Sequence, residues 1–231
     1  MEESKNPVAI APGARHDRQS ERSVNMETDN LDCQSYPIVL ILSGPSGVGK
    51  DTVARELQRR RPDSFYFVVT ATTRDPRPEE VHGRDYIFVS NDEFARMIEA
   101  NELLEYAVVY NDYRGIPKQH IRGALESGRD IILRVDVQGA ATVRKLVPEA
   151  ISVFLRTRTE EALVERLTQR KSDSAEGLAL RIATARGEMK RMDEFDYCVV
   201  NPQGESNKAV EQILCIVDAA HCRTQQTPIV L

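Results

Sequence analysis

The sequence lacks any uninterrupted apolar run approaching the roughly eighteen residues that a membrane-spanning helix requires. It therefore predicts no transmembrane segment and no membrane partner. It also lacks an excess of basic residues, because 31 Lys and Arg against 36 Asp and Glu give a formal charge of −5 and a pI near 5.5. A general nucleic-acid binder presents a basic face, so this composition argues against nucleic acid as a partner.

Cysteine is scarce, and its spacing excludes the common metal and redox motifs. The four cysteines are Cys33, Cys198, Cys215 and Cys222, and no two of them form a C-x-x-C pair. Cys198 lies in an apolar strand pattern and Cys215 in a helical pattern. We therefore expect buried free thiols, which are typical of proteins in a reducing compartment.

The length of 231 residues and the apolar content of 41% predict one domain of ordinary size, or one domain with a tail. Residues 1–35 are polar, show no apolar periodicity and are expected to form a disordered N-terminal extension. Their acidic residues do not fit an organellar import signal, which is poor in acids. We expect residues 224–231 to be a loose C-terminal tail, which leaves 36–223 as the folded domain.

Between these ends, short apolar runs alternate with helical patterns. Such alternation, with continuously apolar strands, predicts an α/β fold with a parallel five-stranded sheet flanked by helices. The predicted strands cover 37–43, 65–69, 130–136, 151–156 and 197–200. The predicted helices cover 49–60, 117–127, 138–147, 159–170, 177–193 and 205–220.

Residues 72–112 interrupt this alternation. Pro76 and Pro78 exclude a helix interior in the first part, whereas residues 86–89 alternate as a strand and a further apolar run follows at 103–110. We interpret this region as an inserted α+β subdomain. The predicted division is a core of 36–70 and 117–223 with an insert of 71–116.

The most informative segment is the glycine-rich stretch 44–50, which directly follows the apolar run 38–42 and precedes a helical pattern. Glycines let backbone N–H groups turn inward around phosphates, Lys50 can reach the β- and γ-phosphates, and the helix directs its positive end at the same anion. A glycine turn without a ligand is the alternative. The predicted phosphate-binding residues are Gly44, Pro45, Ser46, Gly47, Val48, Gly49, Lys50, Asp51 and Thr52.

Position 51 departs from the motif G-x-x-x-x-G-K-[ST], because Asp51 stands where a hydroxyl normally contacts Mg²⁺. A carboxylate oxygen suits a hard cation, so Asp51 is a candidate Mg²⁺ ligand, directly or through water. The same carboxylate places negative charge close to the phosphates, which disfavours nucleotide binding.

A second anion site is predicted at Arg74 and Arg77, on a loop stiffened by proline. Guanidinium forks bind phosphate oxygens bidentately, and Tyr86 can add a hydroxyl donor. The stretch of about 166–181 is dense in charge and is interpreted as a mobile basic lid, with a solvated surface helix as the alternative. Two anion sites in one chain predict a phosphoryl transferase, in which positioning and charge neutralisation provide most of the catalysis.

Six stretches carry a resemblance to guanylate kinases over about residues 37–220. They read SGPSGVGK at 43–50, TTRDPRPEE at 72–80, GRDYIFV at 83–89, NELLEYA at 101–107, VDVQG at 135–139 and RIATARGEM at 181–189. The second and third stretches are very specific to that family at this distance from the glycine loop. Details such as GVGKD and LRVDVQGAAT are most similar to the plant organellar branch.

The resemblance implies a P-loop nucleoside monophosphate kinase-like fold with a GMP-binding insert and a helical lid. It also implies transfer of the γ-phosphate of ATP to GMP, with Mg²⁺ as cofactor and with ATP bound by the glycine loop. The GMP site that it implies consists of Thr70, Arg74, Arg77, Tyr86, Glu105, Arg114 and Asp136. The catalytic residues that it implies are Lys50, Arg74, Arg166, Arg170 and Arg181.

Within the implied site, Glu105 would accept hydrogen bonds from guanine N1–H and the 2-amino group, a pattern that adenine cannot offer. Three positions depart from the family's common pattern. Arg114 replaces a tyrosine that contacts the GMP phosphate, Ile116 replaces a hydroxyl residue near guanine, and Arg134 replaces an aspartate near the metal. The missing hydroxyl removes one hydrogen bond, worth about 0.5–1.5 kcal/mol.

Structural alternatives exist for the single residues: an exposed strand position for Glu105, a core position for Tyr86, and pairing with Glu79 or Glu80 for Arg77. Two rival functions also stand beside the kinase. One is a catalytically weak guanylate-kinase-like module that binds protein partners, and the other is a related small-molecule kinase with another phosphorylated acceptor. The expected partners of the kinase are ATP and GMP, in a monomer or dimer. The branch resemblance implies a plastid or mitochondrion, whereas an authentic N-terminus as given would imply the cytosol.

Overall fold

The structure is a computed structural model, and it describes residues 36–109, 111–169 and 175–229. The predictions for residues 1–35, for Arg170 and for the polar stretch 171–174 lie outside the described residues. Residues 224–229 contain no helix or strand, and one of their side chains contacts the domain. The Gln226 side chain accepts a hydrogen bond from the Tyr36 N–H at 2.9 Å and donates one to the His221 carbonyl at 2.7 Å. This side-chain bridge attaches that part of the tail to the domain.

The strands divide into a parallel sheet and a mixed sheet. In chain order they are β1 (Val39–Ser43), β2 (Phe65–Phe67), β3 (Ala71–Thr72), β4 (Ile87–Phe88), β5 (Leu103–Val109), β6 (Asp112–Pro117), β7 (Asp130–Arg134), β8 (Ile151–Arg156) and β9 (Tyr197–Val200). The larger sheet has five parallel strands in the order β2-β7-β1-β8-β9. All five were predicted, and the α/β fold class is confirmed.

Helices cover both faces of the larger sheet. In chain order they are α1 (Lys50–Arg60), α2 (Asn91–Glu99), α3 (Lys118–Glu126), α4 (Val137–Leu146), α5 (Glu160–Thr168), α6 (Ala175–Met189) and α7 (Ser206–His221). Side chains that accept from backbone N–H groups fix several helix starts. Asp136 caps α4 through the Gly139 N–H at 2.9 Å, and Thr159 caps α5 through the Ala162 N–H at 3.3 Å. The predicted lid falls on the end of α5 and the start of α6.

Strand β1 shows why the sequence folds this way. Its side chains alternate between two hydrophobic clusters: Leu40 and Leu42 pack on one face of the sheet, and Val39 and Ile41 pack on the other. All four are essentially inaccessible to solvent. A strand buried on both faces reads as a continuous apolar run. The central position of β1 brings the glycine loop to the carboxyl edge of the sheet, where ligands bind in such folds.

The insert forms a separate four-stranded sheet in the order β4-β3-β6-β5, with α2 packed against it. Strands β5 and β6 run antiparallel, and Glu105 lies opposite Ile116 in their register. The sequence analysis predicted β4 and β5 but not β3 or β6. Strand β6 contains Gly115 and Pro117, which are weak strand residues, and this composition concealed it.

The prediction of buried cysteines is wrong for the described chain. Cys198, Cys215 and Cys222 are free thiols, as predicted, but all three are exposed. Cys198 lies on β9, at the edge of the sheet, and Cys215 lies on the outer side of α7. Apolar neighbours in sequence therefore did not indicate burial. Among the described helices, none is long and apolar enough to cross a membrane.

Candidate active site

The loop between β1 and α1 has the backbone geometry of an anion cradle. Gly44 and Gly49 adopt positive φ angles of 130° and 93°, which favour glycine. A Cβ atom at Gly44 would lie 2.1 Å from the Leu155 carbonyl oxygen, and one at Gly49 would lie 2.6 Å from the Asn201 amide nitrogen. These two glycines allow the loop to pack directly against β8 and the residue that follows β9.

Lys50 begins α1, and its ammonium group lies within the loop. Its Nζ donates to the carbonyl oxygens of Gly44 and Pro45, the latter at 3.1 Å. Burial lowers the pKa of Lys50 to about 8, although the Glu188 and Asp51 carboxylates oppose this shift. The lysine is therefore a desolvated cation held against the glycine loop.

The glycine loop and the second anion site open onto one cleft. Its lining includes loop residues from Pro45 to Thr52 and, from the insert, Arg77, Tyr86 and Arg114. Asp136, at the start of α4, lies in the same cleft. The glycine loop and Arg77, one of the two arginines of the predicted second anion site, therefore line the same cleft.

The two predicted phosphate-binding arginines are placed differently. Arg77 lines the cleft, whereas Arg74 does not and instead forms a bidentate pair with Glu80, at 2.7 and 2.6 Å. Arg77 Nη1 also lies 3.6 Å from Glu80 Oε1. The alternative that Arg77 pairs with Glu79 or Glu80 is therefore confirmed in part. The guanidinium of Arg74 lies 4.7 Å from the centre of the Tyr86 ring, and Tyr86 is buried. A phosphate that reaches Arg74 must therefore compete with Glu80.

Glu105 and Asp136 form a buried acidic pair beside the cleft. Glu105 is only 7% exposed, so the alternative of an exposed strand residue is wrong. A Cβ at Gly139 would lie 3.1 Å from Glu105 Oε2 and 3.1 Å from Asp136 Oδ1, which shows how closely both carboxylates approach this glycine. Glu105 Oε2 and Asp136 Oδ2 are buried without hydrogen-bond partners in the described residues. Burial, together with the Asp136 charge, raises the pKa of Glu105 to about 8.

Buried acceptors without donors destabilise a protein, and these two oxygens are available to accept N–H groups from a ligand. Thr70, the other residue predicted near the base, is also buried. Its carbonyl accepts from the Ile87 N–H at 2.9 Å, which joins the chain after β2 to β4.

Of the predicted lid arginines, the two that the structure describes, Arg166 and Arg181, do not line the cleft. Arg166 donates to the Val48 carbonyl at 3.1 Å, to the Asn201 carbonyl at 2.8 Å and to the Gln203 side chain at 2.7 Å. Its donors are therefore used on the outer side of the glycine loop. Arg181 lies on α6 and is not part of the cleft lining. Arg170 lies outside the described residues.

Asp51, which was predicted to bind Mg²⁺ directly or through water, is paired with a buried arginine. Asp51 Oδ1 accepts a hydrogen bond from Arg134 Nη1 at 2.5 Å. Burial would raise the pKa of Asp51, but the Arg134 and Lys50 cations hold it below its usual value. A guanidinium that already neutralises the carboxylate repels a divalent cation. In the described part of the chain, no cluster of three or more His, Cys, Asp or Glu residues could hold a metal ion.

Sequence reasoning missed Glu188, a buried acid on α6 that reaches the glycine loop. Its Oε2 accepts from the Ser46 N–H at 3.4 Å, and burial raises its pKa. Glu188 lies within RIATARGEM at 181–189, one of the six stretches that carry the family resemblance, so the sequence did contain a signal for this residue. Its contact with Ser46 joins residues far apart in sequence, and no local pattern reveals such a contact.

A glycine cradle with a lysine, at the carboxyl edge of a parallel sheet and facing arginines of an insert, defines a P-loop phosphoryl transferase. The chain belongs to the guanylate kinase family, since the family profile "Guanylate kinase" matches residues 36–219. It is 53% identical to "Guanylate kinase 2, chloroplastic/mitochondrial" of Oryza sativa subsp. japonica over 191 residues, which cover 82% of this chain and 67% of that protein.

Bacterial relatives and a solved structure agree with this assignment. The chain is 48% identical to a guanylate kinase of Rhodococcus jostii over 165 residues, covering 71% of this chain and 79% of that protein. The crystal structure of guanylate kinase from Anaplasma phagocytophilum superposes with a TM-score of 0.68 at 26% identity, covering 83% of this chain and 89% of that one.

Proposed function

We propose that this protein transfers the γ-phosphate of ATP to GMP and releases ADP and GDP. The observation that carries the proposal is the single cleft in which Lys50 and the glycine loop face Arg77, Arg114 and Tyr86. An oxygen of the GMP phosphate attacks the γ-phosphorus, the bond to the β–γ bridging oxygen breaks, and its electron pair remains on ADP. The family membership of the chain supports the same reaction.

The residues of the chain supply position and positive charge. The loop N–H groups and Lys50 would hold the ATP phosphates, and Arg77 and Arg114 would hold the GMP phosphate. We propose that Mg²⁺ accompanies ATP and neutralises phosphate charge, with its ligands drawn from phosphate oxygens and water. Arg166 would support the loop through the Val48 carbonyl rather than contact the phosphates.

Glu105 would select the base. Guanine presents N1–H and a 2-amino group side by side, and an ionised carboxylate has the acceptors for both. The buried Glu105 oxygen that has no partner in the described residues fits this requirement. Asp136, with its own buried acceptor, would lie on the same side of the base.

Affinity for GMP is expected to rise with pH. Since the raised pKa of Glu105 is about 8, the carboxyl carries a proton at neutral pH, and guanine binding requires that proton to leave. We expect the KM for GMP to fall between about pH 7 and about pH 8.5, by up to roughly tenfold per pH unit below the pKa. The measurement is KM for GMP at saturating ATP, with Glu105→Gln as the control without this titration. A KM that is flat or rises with pH in this range would contradict the assignment.

A panel of phosphorylated acceptors tests the proposed function and its rivals. We expect ADP release in a coupled assay with GMP and weaker release with dGMP, AMP and UMP. Turnover that favours a non-guanine acceptor would instead support the related kinase, for which the apolar Ile116 beside Glu105 is the motivating feature. Absence of turnover with every acceptor would support the protein-binding module.

We also propose a location in the plastid or the mitochondrion. The support is the similarity to the rice chloroplastic/mitochondrial guanylate kinase. Imaging of a full-length fluorescent fusion tests it, and a purely cytosolic signal would refute it. The assembly as a monomer or dimer remains a prediction.

A further inference from the structure

Arg134 is the last residue of β7, and only 3% of its side chain is exposed. Its Nη1 donates to Asp51 Oδ1 at 2.5 Å, and its Nη2 donates to the Asp85 carbonyl oxygen at 2.7 Å. Its guanidinium lies 4.2 Å from the Tyr86 ring centre and 5.1 Å from that of Phe67. One buried side chain therefore joins the sheet, the first turn of α1 and the segment before β4.

The partner of this arginine is the residue at which the loop departs from its motif. A hydroxyl at position 51 would be neutral, whereas Asp51 adds a negative charge beside Lys50 and the place of the ATP phosphates. The negative charges of a carboxylate and a neighbouring phosphate repel strongly in a poorly solvated site. Arg134 cancels the added charge, so the pair is neutral where the motif is neutral.

The connection continues towards the acceptor side of the cleft. The Tyr86 ring contacts both Arg134 and Arg74. Asp85 Oδ1 accepts a hydrogen bond from the Nε of Arg55, on α1, at 3.1 Å. Helix α1 is thus attached to the Asp85–Tyr86 segment directly, through Arg55, and indirectly, through Arg134.

We propose that Arg134 is a positioning residue for phosphoryl transfer. By pairing with Asp51 it neutralises the charge beside the phosphate loop, and by holding Asp85 and Tyr86 it fixes the acceptor side of the cleft against α1. Asp51 then serves as the counter-ion of Arg134 and not as a Mg²⁺ ligand. The inference rests on the proposed function, because it assigns a role within that reaction.

The test is a cycle of Asp51→Asn, Arg134→Gln and the double variant. The two readouts are the Kd for ATP by calorimetry with Mg²⁺ and without GMP, and the KM for GMP. Arg134→Gln leaves the Asp51 charge unbalanced, so we expect the Kd for ATP to rise about tenfold, and Asp51→Asn added to it to restore the value to within about threefold. The KM for GMP should stay raised in the double variant, because Asp85 and Tyr86 have lost their anchor.

A double variant that binds ATP as weakly as Arg134→Gln, or more weakly, would overturn the proposal. Asp51→Asn alone supplies an independent arm, because asparagine has nearly the shape of aspartate and the Asp51 side chain, 31% exposed, lines the cleft, so this variant should fold even where Arg134→Gln does not. A counter-ion role predicts no weakening of ATP binding in Asp51→Asn, whereas a metal ligand predicts a loss of about tenfold or more. Such a loss would overturn the proposal.

Arg84→Gln is the matched control. Arg84 is exposed, and its Nε donates a hydrogen bond to Asp85 Oδ2 at 2.9 Å. We expect Kd and KM within about twofold of the wild-type values. Wild-type turnover of GMP is measured first: its absence would defeat the proposed function, whereas turnover without the expected recovery in the double variant would defeat only this inference.

Discussion

Replacement of Lys50 by alanine is expected to lower kcat by roughly 100- to 1,000-fold, because the buried ammonium stabilises charge that develops on the transferring phosphate. The loop geometry supports this size of effect. Lys50 is held by the Gly44 and Pro45 carbonyls inside the cradle, so its charge is positioned before the nucleotide arrives. The measurement is kcat at saturating ATP and GMP in the coupled assay.

The fold should survive the Lys50→Ala substitution, because the loop backbone is set by its glycines and by packing against β8. Thermal unfolding checks this point. Lys208→Ala is a suitable control, since Lys208 is an exposed lysine on α7 paired with Glu205, away from the cleft. A folded Lys50→Ala protein with near-wild-type turnover would refute the role of the lysine.

Glu105→Ala is expected to raise the KM for GMP by about 100-fold or more and to change the KM for ATP little, because two charge-assisted hydrogen bonds to the base are lost. Discrimination built on buried hydrogen-bonding groups is typically large. The structure places this carboxylate beside Asp136 and Gly139. Steady-state kinetics with each nucleotide varied in turn measure both constants.

Glu102→Ala is the matched control for this prediction, because Glu102 is a nearby acid that is exposed. Its removal should leave the KM for GMP within about twofold of the wild-type value. Equal increases in the two KM values for Glu105→Ala would show that the substitution disturbs the whole cleft and would refute base recognition by Glu105.

Local patterns revealed most of the fold. The five parallel strands are continuous apolar runs, since both of their faces are buried, and three of them proved two residues shorter than predicted (β1, β2 and β7). The glycine loop could be recognised because its chemistry needs consecutive residues. Strand β6 could not, because Gly115 and Pro117 hide its pattern.

The parts of the site that escaped prediction depend on contacts between distant residues. The sequence showed Asp51 as a departure from the glycine-loop motif and Arg134 as a departure from the family's common pattern. They are separated by 83 positions, so no local pattern shows that they pair. Arg166 was expected among the catalytic residues because the family resemblance implied it and because it lies in a stretch dense in charge. Its carbonyl partners, Val48 and Asn201, approach it only in the folded chain. Cys198 was wrongly expected to be buried, because its local pattern does not reveal that β9 is an edge strand. Edge strands expose residues that central strands bury.

The Glu188 contact with the glycine loop has a mechanical consequence. A phosphate oxygen that accepts from the Ser46 N–H takes the place of the Glu188 carboxylate, and two anions repel each other there. Glu188 and the predicted lid residue Arg181 belong to the same helix. A phosphate bound in the cradle is therefore expected to displace the Glu188 carboxylate from Ser46, and the helix that carries Glu188 also carries Arg181.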